Sequence, residues 1–144
     1  MINTKLENFL LYAIDDDWAP IAEFDADVQK ITPQEYSRRR VLEVIQDLAT
    51  RGYIQLGAFP GGGRSWEPWT VPVEDGIRRI AEGFNNSTGY LEISDAEIGS
   101  SEVFRAAITS AGRERLNELG DPYEIYGDPW SDDPLLRADQ NEMG

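Results

Sequence analysis

The sequence predicts an α+β domain, and three observations carry that expectation. Residues 32–64 hold a capped amphipathic helix, a glycine stop at Gly52, a β-rich run over 53–59 and three consecutive glycines. Apolar residues recur at helical spacing in two other places: Leu6, Phe9, Leu10, Ala13 and Ile14, then Ile77, Ile80, Ala81 and Phe84. A second strand-like run, 103–109, returns after a long interval and leads into another helix start.

The first helix carries a wide apolar face and meets Asp15, Asp16 and Asp17 at its C-terminal end. The helix dipole disfavours negative charge there, so the helix stops. Trp18, Ala19 and Pro20 form a short extended link, and 21–28 a short second helix. In the third helix Thr32 is the expected N-cap, Pro33 suits the first position and Glu35 completes a capping box. Val41, Val44, Ile45 and Leu48 fall on its apolar face.

After the strand at 53–59 come the turn at Gly61, Gly62 and Gly63 and an irregular segment with Trp66, Pro68 and Trp69. The expectation is that these rings pack a fourth helix, 73–84, onto the strands. Residues 85–89 break that helix, and 90–93 read as a short strand. Thr109 or Ser110 caps a last helix carrying Leu116 and Leu119. Residues 1–120 thus make one domain, with 60–101 inserted between its strands, and 121–144 an acidic, proline-rich, flexible tail dispensable for folding. The tail repeats a short word: Asp121-Pro122-Tyr123, Asp128-Pro129-Trp130 and Asp133-Pro134-Leu135. It sets apolar studs on an acidic ribbon that either binds a partner or folds back.

At 144 residues the chain is long enough for one modest core. Thirteen basic against 27 acidic side chains give a net charge of −14. Such a field repels nucleic acid and membranes at long range and favours basic partners. No cysteine is present, which excludes disulfides and thiolate chemistry and suits the cytoplasm. Neither a signal-peptide pattern nor a run of membrane-spanning length is found.

The third helix closing on Arg51-Gly52-Tyr53-Ile54, the glycine-rich tip, and a return strand leading into Thr109, Gly112 and Arg113 resemble the winged helix-turn-helix superfamily. The likeness covers residues 6–119 and implies a winged-helix-like core, helices plus a small antiparallel sheet. Its wing is enlarged by 60–101, which contains an extra helix. Small bacterial winged-helix-like proteins with an aromatic-proline segment such as 66–69 are similar, and no activity carries over from them.

Charge along the chain separates two functional readings. Residues 32–64 hold five basic and three acidic side chains, while 1–31 hold two and seven. For DNA the candidates are Tyr36, Arg38, Arg39 and Arg40 on the third helix and Arg64 at the tip. Yet Glu35, Glu43 and Asp47 lie within pairing reach of these arginines or of Arg51. The competing surface is acidic: Asp15, Asp16, Asp17, Asp25 and Asp27, with Glu23 among them. No calcium loop fits, because starts at Asp15 or Asp25 lack glycine at the sixth position and glutamate at the twelfth. Trp66, Trp69 and Trp130 are the aromatic candidates for a partner contact.

Catalysis is hard to build without His or Cys and with Lys5 and Lys30 as the only lysines. The glycine run lacks the spacing of a phosphate loop. No metal, cofactor or catalytic residue is expected. The first reading is a non-catalytic acidic module that binds a basic protein, as an inhibitor or immunity-type protein would. The alternative is a sequence-specific DNA-binding regulator, and a structural subunit is a third class.

Overall fold

The computed structural model describes residues 2–131. Helix α1 (Thr4–Asp16) begins at Asn3, whose side chain accepts from the Leu6 amide at 3.1 Å. Its apolar stripe, Leu6, Leu10, Leu11 and Ile14, is fully buried. The helix ends where the aspartates collect, and Asp17 turns extended. Strand β1 (Ala19–Pro20) leads directly into α2 (Ile21–Ile31), which buries Ile21, Phe24 and Val28.

Thr32 does not cap the third helix. It closes α2 instead, its hydroxyl donating to the Val28 carbonyl at 3.1 Å. Pro33 and Glu35 make a single 3-10 turn (Pro33–Glu35), and α3 (Arg38–Thr50) starts after Ser37, whose oxygen accepts from the Arg40 amide at 3.0 Å. The face assigned from spacing holds: Val41, Val44, Ile45 and Leu48 are all at 0% exposure. Burial of each such side chain contributes about 1.5–3 kcal/mol.

Strand β2 (Ile54–Ala58) pairs antiparallel with β3 (Glu67–Pro68) on one side and with β6 (Arg105–Ile108) on the other. β6 also pairs with β1, so the four-stranded antiparallel sheet runs β1-β6-β2-β3. Gly57 is where β3 crosses closely: a Cβ there would stand 2.4 Å from the Glu67 carbonyl oxygen and 2.5 Å from the Trp66 ring.

Between β3 and β6 lie α4 (Val73–Glu82), a two-stranded hairpin of β4 (Gly83–Phe84) and β5 (Ser87–Thr88), and a 3-10 segment (Asp95–Ser100). Helix α4 packs on α3. It ends two residues earlier than spacing predicts, at Gly83 with φ 112°, where the chain enters the hairpin. Residues 90–93 form a turn, not the expected strand. The Tyr90 amide is held by the Ile80 carbonyl at 2.8 Å and the Ile93 amide returns to Gly89, leaving no ladder partner.

Helix α5 (Ser110–Leu119) follows, capped by Thr109, and α6 (Pro122–Tyr126) follows that. Sequence alone placed nothing regular beyond Gly120. Yet Tyr123 meets Phe9 edge-on at 5.1 Å and Tyr126 lies 6.1 Å from the same ring, so α6 covers α1. Asn8 of α1 donates to the Gly120 carbonyl at 3.0 Å, fixing the approach. The third Asp-Pro word, at Asp133, lies outside the described residues. Among those residues, no helix is long and apolar enough to cross a membrane.

Candidate protein-binding surface

The end of α1 builds one surface. Asp17 accepts from the Trp18 amide at 2.8 Å, which turns the chain and sets the Trp18 ring on the outside at 42% exposure. Trp18 stacks on Trp66 with centroids 6.2 Å apart and meets Phe59 edge-on at 5.4 Å. Two backbone placements hold these rings: Trp18 directly precedes β1, which lies beside β6, and Trp66 directly precedes β3, which lies beside β2. The Trp66 indole N–H donates to the Arg105 carbonyl at 3.1 Å, and the Arg105 guanidinium lies 5.7 Å from the Phe59 ring centre.

Beside the rings stand Asp15, Asp16 and Asp17, all exposed. Asp15 pairs with Arg113 at 2.8 Å. The Arg105 guanidinium is shifted up chiefly by its hydrogen bond to Glu102, with Asp17's charge adding to it. An aromatic centre with a charged rim is the usual layout of a protein interface, and carboxylates in the rim steer a basic partner.

Asp25 and Asp27 are not part of this surface. They are 5% and 3% exposed, which corrects their place in the acidic cluster. Asp25 accepts from Tyr36 at 2.7 Å, from Gln29 at 2.8 Å and from the Tyr90 hydroxyl, joining α2 to the segment after α4. Burial, then the bond to Asp25, push the Tyr90 hydroxyl well above the usual tyrosine range. Asp27 sits behind α1. Burial foremost, then a hydrogen bond with Glu23 and that residue's charge, push its carboxyl up to about 9.

Trp69 is core, as packing of α4 requires. It is 8% exposed, and Gly76 of α4 lies against it. Trp130 is half-buried and lines a cavity with Phe9 and Tyr123. The three tryptophans named from sequence therefore share no single surface, and of them only Trp66, half-buried, packs against the exposed Trp18 ring.

The arginine candidates are mostly engaged internally. Arg38 donates to the Tyr90 and Ile93 carbonyls at 2.5 and 2.6 Å and pairs with Asp95 at 2.7 Å. Tyr36 is spent on Asp25. Arg40 lies between Glu35 and Glu43, at 3.9 and 3.8 Å, and Arg64 pairs with Glu67. Arg39 is exposed.

Trp18 and Phe59 escaped the sequence reading. A tryptophan directly after three aspartates is a signal in itself, since a buried ring would draw those charges inward. Phe59 gives no such sign, because only strand pairing brings it to Trp18. Glu7 also escaped, a buried carboxylate bound by Arg51 at 3.2 Å and Arg115 at 3.1 Å. Its clue is position: Glu7 lies on the stripe of Leu11 and Ile14.

No protein-family model, no curated protein and no solved structure matches the chain.

Proposed function

We infer that the protein is a non-catalytic, cytoplasmic binding module on a winged-helix-type core, and that its acidic-aromatic surface meets a basic protein. The fold reading is supported by the order helix, strand, helix, helix, strand, return strand, with β6 seated between β1 and β2. In that reading the long excursion between β2 and β6 is an enlarged wing. One observation carries the functional reading: the exposed rings of Trp18 and Phe59, backed by half-buried Trp66, adjoin three exposed carboxylates. A partner such as a toxin or nuclease would present basic residues to the carboxylates and an apolar spot to the rings. Inhibition then follows from occupying the face that binds nucleic acid.

The test is association kinetics with the protein captured by photo-crosslinking from position 18. Replacing Asp15, Asp16 and Asp17 by Asn should slow association about tenfold at low salt, and Trp18→Ala should speed dissociation. A captured partner that is acidic, or rates indifferent to all four changes, would overturn the reading.

The second reading is DNA binding, favoured by the outward position of Arg39 on α3. It asks for sub-micromolar, steeply salt-dependent binding to one duplex, lost when Arg39 and Arg40 are reversed. That result in an anisotropy titration would displace the first reading.

A further inference from the structure

A cavity of about 550 Å³ opens between α1, α2 and the segment from α6 to Trp130. Its walls include Phe9, Tyr12, Tyr123 and Trp130, and its acidic side chains are Asp16, Glu23 and Asp27. Asp27 is 97% buried, at 3% exposure, and its Oδ1 has no hydrogen-bond partner. A buried, unpaired acceptor costs about 1–3 kcal/mol wherever no ligand or water satisfies it. Rings and carboxylates around one cavity match a single chemistry, an organic cation, which rings attract through their faces and carboxylates through charge. A bare metal ion fits less well, because among the described residues no group of three or more ligating side chains is placed to hold one.

We propose that this cavity binds an alkylammonium or guanidinium group, with Asp27 and Glu23 as its counter-charges and Tyr12, Tyr123 and Trp130 as its walls. The site stands whether or not the acidic-aromatic surface binds a protein. Groups facing Asp27 set how binding depends on pH: Glu23 from α2, Asp16 and Tyr12 from α1, and Tyr123 from α6. Lys30 lies one turn along α2 beside Trp130, and Asp128 acts through Tyr123. With its carboxyl pushed up to about 9, Asp27 holds its proton at neutral pH. A bound cation favours the ionised form, so binding releases that proton.

The experiment titrates the full chain calorimetrically with butylguanidinium and butylammonium, with butylurea as the neutral control. Buffers of different ionisation heat report the proton. Saturable binding of a cation but not of butylurea is expected. Up to one proton should leave per cation near neutrality, and affinity should rise by up to roughly tenfold per pH unit until about pH 9. Asp27→Asn, which keeps the neutral shape, should weaken binding at least about tenfold and abolish proton release, and Glu23→Gln should weaken it by less, because losing Glu23's charge also eases ionisation of Asp27. N-acetyl-arginine amide separates the sources. Tighter binding than butylguanidinium points to a basic side chain of a protein, and equal or weaker binding to a free small cation. Absence of saturable binding by either cation at millimolar concentration, or binding unchanged in a folded Asp27→Asn chain, overturns the proposal.

Discussion

The guanidinium of Arg38 lies 5.2 Å from the ring centre of Tyr90 and donates to that residue's own carbonyl at 2.5 Å. The same tyrosine hydroxyl bonds Asp25, so one residue pair ties α2, α3 and the turn after the β4–β5 hairpin together. Charge-assisted bonds of this kind are worth about 1.5–3 kcal/mol each, and truncation leaves the carbonyls unsatisfied. Arg38→Ala should therefore cost about 2–4 kcal/mol in a urea melt. Exposed Arg39→Ala should stay within about 0.5 kcal/mol. Equal effects of the two changes would mean that the clasp contributes nothing.

The start of α3 gives a second check. Ser37 supplies the oxygen to the Arg40 amide, so Ser37→Ala should cost about 1 kcal/mol. Glu35→Ala, in the 3-10 turn before it, should lower stability by less, because it removes only a 3.9 Å ion pair to Arg40. A thermal melt in which Glu35→Ala is the more damaging change would restore the capping box.

What the sequence revealed here follows from range. Helix faces repeat within one turn, so Leu6, Leu10 and Ile14, or Val41, Val44 and Leu48, were legible from spacing alone. The Thr109 cap was legible too, and Gly112 beside it explains itself: a Cβ there would stand 2.1 Å from the Tyr53 carbonyl oxygen. Thr32, Pro33 and Glu35 misled because a one-turn 3-10 segment satisfies the same local signature that begins an α-helix. Asp25 reads as surface from the sequence because its partner Tyr90 lies 65 residues away. Its position four residues after Ile21 already put it on the apolar face. Trp18, Phe59 and Trp66 meet only through strand register, which residue types do not encode.

Glu7 binds two arginines from separate elements, Arg51 at the end of α3 and Arg115 within α5, while itself only 2% exposed. Without Glu7, Arg51 keeps Asp47 at 2.6 Å and Arg115 keeps Glu118 at 3.4 Å, so the loss is that of the charged hydrogen bonds to Glu7. Glu7→Ala should cost about 1.5–3 kcal/mol, and Glu7→Gln less, because the amide oxygen still accepts. Chemical denaturation of both variants measures this. A Glu7→Ala loss below that of Ser37→Ala would show the arginines satisfied elsewhere.

Helix α6 changes what a truncation should do. Ending the chain at Gly120 removes Tyr123 and Tyr126 from Phe9 and the buried Pro122. From charge and composition the tail is expected to be dispensable; from these contacts its loss should cost about 2–3 kcal/mol. Ending at Ser131 instead should retain all of these contacts. Equal melting points for the two truncations would mean that α6 adds no stability.

Asp27 makes stability depend on pH in a direction opposite to that of an ion-paired aspartate. Its folded carboxyl is pushed up to about 9, chiefly by burial, while the unfolded chain titrates near the ordinary 3.8. Below the unfolded value both states hold the proton and Asp27 creates no slope. Between the two values the folded state binds one proton more than the unfolded state, so stability falls as pH rises. Above the folded value the slope ends. Asp27→Asn should flatten this part of the profile and raise the melting temperature at about pH 8, by an amount equivalent to at least about 1 kcal/mol. At low pH, where the native carboxyl is also neutral, the two chains should melt together. Melting curves across that range decide the matter. A variant less stable than the parent at alkaline pH would mean that the ionised carboxylate is the form the fold prefers.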